Sequence, residues 1–182
     1  MTEVQPLFRH ILGEAWDRLP PPIRQLHSTT SVATYSGRCT VIQGGNPIAR
    51  AVTAFVGFPK GGSDLPITVK LSVEDYCERW VRTVADRTFS STHRLAKGRS
   101  AGLIRERFGP IAVDMALVLQ GPRLCYAIRR WSLLGIPMPL WLGPRTNASE
   151  SVDAEGRFRF DIKLWHPFIG LLVHYAGWLV PA

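Results

Sequence analysis

The chain has 182 residues, of which 46% are hydrophobic and 20% charged. That composition fits one globular domain with a core of its own and excludes a disordered segment. The net charge of +8 comes from 18 arginines and only 4 lysines against 14 acidic residues, and charge of that sign attracts anionic lipid, nucleic acid or an acidic partner without choosing among them. The longest apolar stretch, Phe168 to Val180, is interrupted by His174 and falls short of the roughly 20 residues that cross a bilayer.

In chain order, Pro6 to Arg18 reads as a helix with Leu7, Ile11, Leu12 and Ala15 on one face and Phe8 and Trp16 beside it. Leu19-Pro20-Pro21-Pro22 stops it, and a short second helix runs from Pro21 to Leu26 and ends at His27. Glu3 and Glu14 interrupt the N-terminal residues, so no signal peptide is expected.

Ser31 to Gln43 reads as a strand that turns at Gly44-Gly45. Asn46-Pro47 then starts a helix, since Asn is a favoured N-cap and Pro is favoured at the first helical position. This helix, at about 47–57, is apolar on nearly every side, with only Arg50 and Thr53 polar. A helix of that kind is normally buried, so the remainder of the chain is expected to wrap it.

The remainder has the pattern to do so. Leu65, Ile67, Val69, Leu71 and Val73 alternate with less apolar residues, as in a strand buried on one face. Strand-like runs follow to Leu179, separated by Gly109-Pro110, Gly121-Pro122, Asp153-Glu155-Gly156 and His166-Pro167. Short connections between consecutive strands imply antiparallel hairpins. The expected fold is therefore α+β: one domain over 1–182, with a helical segment at 1–28 and, over 29–182, a curved antiparallel sheet of about 7–9 strands around a central buried helix. A cavity is expected between helix and sheet.

No familiar catalytic or metal motif stands out. The cysteines Cys39, Cys77 and Cys125 form no CxxC pair, and the histidines lack HExxH or i, i+4 spacing, so no metal or cofactor is expected. Three unpaired thiols fit a reducing cytoplasm. Residues 76–107 hold eight basic and three acidic side chains, which is +5 of the net charge. No RNA- or DNA-binding signature accompanies them, which argues against nucleic acid.

The segment 78–82 is the most informative. On a strand, Glu78, Trp80 and Arg82 share one face. In Ile104-Arg105-Glu106-Arg107-Phe108, Glu106 lies with two apolar residues, so it is expected inside, with Arg105 and Arg107 outside. Arg82 and Glu106 are expected to pair beside Trp80 and to hold the polar end of a lipid-like ligand; the alternative is an ion pair on a solvated face. An enzyme reading of the same cavity would use Glu106 or His27 as acid or base and Arg82 to stabilise an anion. The loop at 134–144 is rich in proline yet carries Ile136, Met138, Leu140, Trp141 and Leu142. It either folds over the core or forms an exposed lip that meets a ligand, partner or membrane surface, which leaves a third reading, an accessory docking domain.

A series of signals also resembles a known family. It comprises Leu12-Gly13, Trp16, Leu19-Pro20 and Leu26-His27; Glu78-x-Trp80-x-Arg82 and Phe89-Ser90-Ser91; Glu106-Arg107-Phe108-Gly109-Pro110 and Gly135-Ile136-Pro137-Met138-Pro139; and Glu150, Gly156-Arg157-Phe158-x-Phe160-Asp161 and the pattern from Pro167 to Leu179. The order is similar to that of the bacterial domain of unknown function 4166 family, over nearly the whole chain. The resemblance implies no activity. Some relatives carry a Rossmann-type dinucleotide-binding domain, which makes a redox or Rossmann-type partner an expectation by family analogy alone and puts no dinucleotide site in this chain. It marks Trp80, Arg82, Glu106, Arg107, Glu150 and Tyr175 as candidate ligand-binding residues.

Overall fold

The computed structural model describes residues 5–182; Glu3 and the first four residues of the helical segment 1–28 lie outside the described residues. Helices α1 (Leu7–Leu12) and α2 (Pro21–His27) are joined by a 3-10 turn at Gly13–Arg18. Proline at the start of α2 costs nothing, because the first N–H groups of a helix have no partner within it.

Then come β1 (Val32–Gln43), α3 (Pro47–Val56), β2 (Gly62–Glu74), β3 (Cys77–Val84), β4 (Arg87–Leu95), β5 (Ile104–Phe108) and β6 (Ile111–Gln120). They are followed by β7 (Arg123–Leu133), the short β8 (Ile136–Met138), β9 (Arg145–Val152), β10 (Phe158–His166) and β11 (Gly170–Pro181).

Every strand pairing is antiparallel. The hydrogen-bonded order is β6-β5-β4-β3-β2-β1-β11-β10-β9-β7-β8, and β6 also pairs with β7. Ten strands therefore close on themselves, and β8 hangs outside the ring on β7. The antiparallel sheet matches the sequence reading. The expected 7–9 strands become eleven, and the curvature becomes closure, which leaves no open edge on the ring. Where β1 meets β11, only glycine fits: a Cβ at Gly37 would strike the Trp178 carbonyl, and one at Gly177 the Arg38 carbonyl.

The central buried helix needs correction. Helix α3 buries only Ala49 and Thr53, and its Phe55 is 73% exposed. It sits across one end of the barrel, with Val52 and Val56 turned to the interior cavity. Its start and stop are as the sequence implies: the Asn46 side chain accepts from Ile48 N–H at 2.8 Å, and Gly57 ends it at φ 84°, a left-handed value that favours glycine. The deeply buried helices are instead α1 and α2, whose Phe8, Ile23, Leu26 and His27 are almost wholly inaccessible.

Alternating strand direction sorts the connections between the two ends of the barrel. The β2–β3, β4–β5, β6–β7 and β9–β10 turns and the α1–α2 segment leading into β1 belong to one end, here the base. Helix α3, the β3–β4, β5–β6 and β10–β11 turns and the 134–144 loop belong to the other, the mouth.

Candidate functional site

The alternation of β3 sends Glu78, Trp80 and Arg82 inward, and all three are buried while Arg79 is exposed. The facing residues of β4 are Phe89, Ser91 and His93, also buried. The register sets Arg82 opposite Phe89, Trp80 opposite Ser91, and His93 opposite both Glu78 and Glu106. Strand β5 supplies Glu106, β7 Tyr126, β9 Glu150 and β11 Tyr175. The ring encloses a cavity of about 150 Å³. Its walls are largely apolar, built from residues such as Val69, Val113, Ile128 and Phe160, with Val52 and Val56 of α3 at the mouth.

Two hydrogen-bonded groups form the polar part. In the first, Glu106 Oε1 accepts from the Ser91 hydroxyl at 2.7 Å, lies 3.0 Å from His93 Nε2 and sits 3.6 Å from the Arg82 guanidinium. Arg82 also donates to Ser91 at 2.9 Å, and its guanidinium lies 5.0 Å from the Trp80 ring centre and 5.6 Å from that of Phe89. Burial alone would raise the Glu106 pKa; His93, Arg82 and Ser91 outweigh it and hold the carboxyl at about 2.

In the second group, Glu150 accepts from the Tyr126 hydroxyl at 2.6 Å and lies 2.7 Å from His27 Nε2. Burial first, and then the Glu150 carboxylate, push the Tyr126 phenol well above its ordinary value. Nearby, Glu78 accepts from Trp80 Nε1 at 3.2 Å, and burial raises its carboxyl. The outer ring nitrogens of His27 and His93, the Nδ1 atoms, are buried without a partner among the described residues. Tyr175, buried beside Arg82, is raised to about 12 by desolvation.

Trp80, Arg82, Glu106, Glu150 and Tyr175 all line the cavity. Arg107 does not: it is exposed, and its Nε donates to the Gly109 carbonyl at 2.9 Å. Arg105 likewise faces away and forks onto Asp114 at 2.6 and 2.9 Å. His27 is not among the lining residues. Its ring is fully buried under Phe8, with centroids 3.6 Å apart, and its Nε2 is committed to Glu150.

Ser91, His93 and Tyr126 belong to the polar wall but lay outside the candidate ligand-binding set. Their signal was the same period of two that found Trp80: Phe89, Ser91 and His93 on one strand, Leu124, Tyr126 and Ile128 on another. The 134–144 loop is a lip, not a cover: Trp141 is 59% and Ile136 64% exposed.

The family model described as "Domain of unknown function (DUF4166)" matches residues 19–179. The chain belongs to that family. The match takes in every cavity residue named above except Phe8. A search of the curated proteins finds no match. Among solved structures, the chain is similar to a protein of unknown function from the DUF3598 family of Nostoc punctiforme, at 12% identity and TM-score 0.49, with 82% of this chain and 47% of that one covered. It spans about half the length of that protein. It is also similar to a secretary abundant heat soluble protein from Ramazzottius varieornatus, at 10% identity and TM-score 0.42, covering 82% of this chain and 93% of that one.

Proposed function

We propose that this DUF4166 domain binds a small amphipathic molecule inside its barrel. Its apolar body fills the cavity, and its polar group meets Arg82, Glu106, Tyr126 and Glu150. The observation that carries this reading is a mostly apolar, partly open cavity inside the ring with polar side chains converging on its wall.

Size narrows the class. A cavity of about 150 Å³ matches in volume an apolar protein cavity that takes up benzene. A single-ring or short-chain molecule therefore fits as the structure stands. Charge narrows it further. Glu106 already neutralises Arg82 and Tyr126 already donates to Glu150, so a ligand carboxylate would compete with two resident ones. A neutral or donor-bearing polar group suits the wall better.

The enzyme reading fares less well on the same geometry. A carboxyl held at about 2 is a weak base at neutral pH, and His27 has its ring sealed from the cavity. The test is an NMR titration of the 15N-labelled protein with indole and, in parallel, with hexanoate. The expected result is saturable shifts at Arg82, Glu106 and Tyr126 with indole and weaker ones with hexanoate. The absence of shifts at any cavity residue with either compound would overturn the reading.

A further inference from the structure

The large exposed hydrophobic side chains are not spread evenly. Of the twelve among the described residues, ten lie at the mouth end and only Val32 and Tyr76 at the base. Phe55 and Ile48 project from α3, Leu134 and Ile136 from the β7–β8 turn, Trp141 from the lip, and Phe168 from the β10–β11 turn. Trp141 and Phe168 touch edge to face, with centroids 6.4 Å apart, so two separate connections contribute to one patch. Leu134 is 74% exposed and has φ 52°. A left-handed turn position favours glycine or asparagine, so a leucine there is unfavourable to the fold and packs against nothing that would offset it.

Basic side chains accompany this patch. Arg50, Lys60, Arg87 and Arg107 are exposed on α3 and the mouth turns. Arg129 and Arg130 lie below the lip, both exposed because the ladder shifts register there: Asp114 faces Arg130 while Met115 faces Ile128. Of the described carboxylates near the mouth, Asp64 is held by Arg38 at 2.7 Å and Asp114, opposite Arg130, by Arg105 at 2.6 Å, which leaves Asp86 on the β3–β4 turn.

The geometry points to the mouth as a docking surface for an anionic lipid bilayer. Tryptophan and aliphatic side chains interleaved with arginine suit the interface between headgroups and acyl chains, and the cations suit a negative surface. A second copy of the chain fits worse, since it would bring two basic rims together. No helix of the described residues is long and apolar enough to cross a membrane, and the exposed apolar side chains of the rim suit contact by shallow insertion. The rim is also continuous with the cavity. Strands β7 and β9 pair only over Leu124–Tyr126 and Ala148–Glu150, after which β7 turns to β8. Above that point Ile128, Pro144 and Thr146 line the cavity beside the lip. A molecule dissolved in the bilayer would enter by this route, a purpose that rests on the cavity reading, although the docking evidence does not.

The test is co-sedimentation with phosphatidylcholine vesicles, with and without roughly 30 mol% phosphatidylserine. The expected result is binding about tenfold or more stronger to the anionic vesicles, weakened by salt and lost in a Phe55→Ser/Trp141→Ser/Phe168→Ser variant. These residues are exposed, so that variant should keep its circular dichroism spectrum and thermal midpoint. Equal binding to both vesicles, binding indifferent to the triple substitution, or a dimer in analytical ultracentrifugation that the substitution dissolves would overturn the proposal. The indole titration, run without vesicles, reads the cavity separately, so failure of docking and failure of the cavity reading are distinguishable.

Discussion

At the scale of single residues, the polar wall places ionisable groups where their partners decide whether the fold tolerates them. Glu150 accepts hydrogen bonds from β7 through Tyr126 and, with His27 as donor, from α2. His27→Leu removes one donor from a buried carboxylate and should destabilise by about 3 kcal/mol. Adding Glu150→Gln removes the charge but keeps an acceptor for Tyr126, so the double variant should recover most of that loss in urea melts. If the two losses simply add, the pair is not coupled. Glu106 makes a pH-dependent contribution. Its carboxyl is held at about 2 in the fold, from an ordinary 4.5. A depressed pKa contributes stability that is fully present above the ordinary value and is lost as pH falls through the folded one. The wild type should therefore lose about 3 kcal/mol from this group between pH 4.5 and 2. Glu106→Gln should be less stable at pH 7 and flatter over that window, and parallel acid limbs for the two proteins would contradict the assignment. The sequence was most readable at this scale. A period of two, with charged residues at apolar positions, brought Trp80, Arg82 and Glu106 to one wall. It offered His27 as an acid or base and could not reveal that Phe8 seals its ring, because that depends on packing between segments far apart in the chain.

At the scale of elements, the two helical parts exchange their expected roles. Helix α3 is apolar nearly all round, which is the pattern of a buried helix. A helix between a cavity and an apolar rim has the same pattern: Val52 and Val56 face inward and Ile48 and Phe55 outward, with neither pair buried in a packed core. Hydrophobicity reports the wish for an apolar neighbour; Val52 and Val56 find one at the cavity, while Ile48 and Phe55 remain exposed. The front end was underestimated because two short helices separated by prolines make a weak periodic signal, yet Phe8, Leu19, Ile23 and Leu26 join the main core. Loosely held, α3 should open before α1 and α2. Asn46→Ala removes the side chain that caps it at 2.8 Å and should cost about 1 kcal/mol. Hydrogen exchange should quicken in residues 47–57 with little change in 21–27; equal acceleration in both would mean that α3 is integral to the barrel's cooperative unit.

At the scale of the whole molecule, closure of the sheet was the feature local patterns could not announce. Each strand of the ring and most turns were legible, while β8 was read as part of the 134–144 loop, but the pairing of β6 with β7, of β7 with β9 and of β1 with β11 decides between an open curved sheet and a ring. The last of these pairings joins segments more than a hundred residues apart. Closure has a physical consequence. The side chains lining the ring leave an apolar cavity at its centre. An empty cavity lowers stability by the contacts its lining lacks, and filling it should stabilise the fold while removing any binding function. Ala148 is placed to test this, since it lines the cavity opposite Tyr126 at the short β7–β9 seam. Ala148→Leu adds three carbons to the void, each worth about 0.8 kcal/mol if fully buried, less the strain of fitting a branched side chain there. A net gain of about 1 kcal/mol would raise the thermal midpoint by roughly 2–4 °C, with uptake of indole abolished. Higher stability with binding intact would place the binding site elsewhere. Lower stability would mean that the space beside Ala148 is already taken by its neighbours, and that the cavity lies nearer the α3 wall.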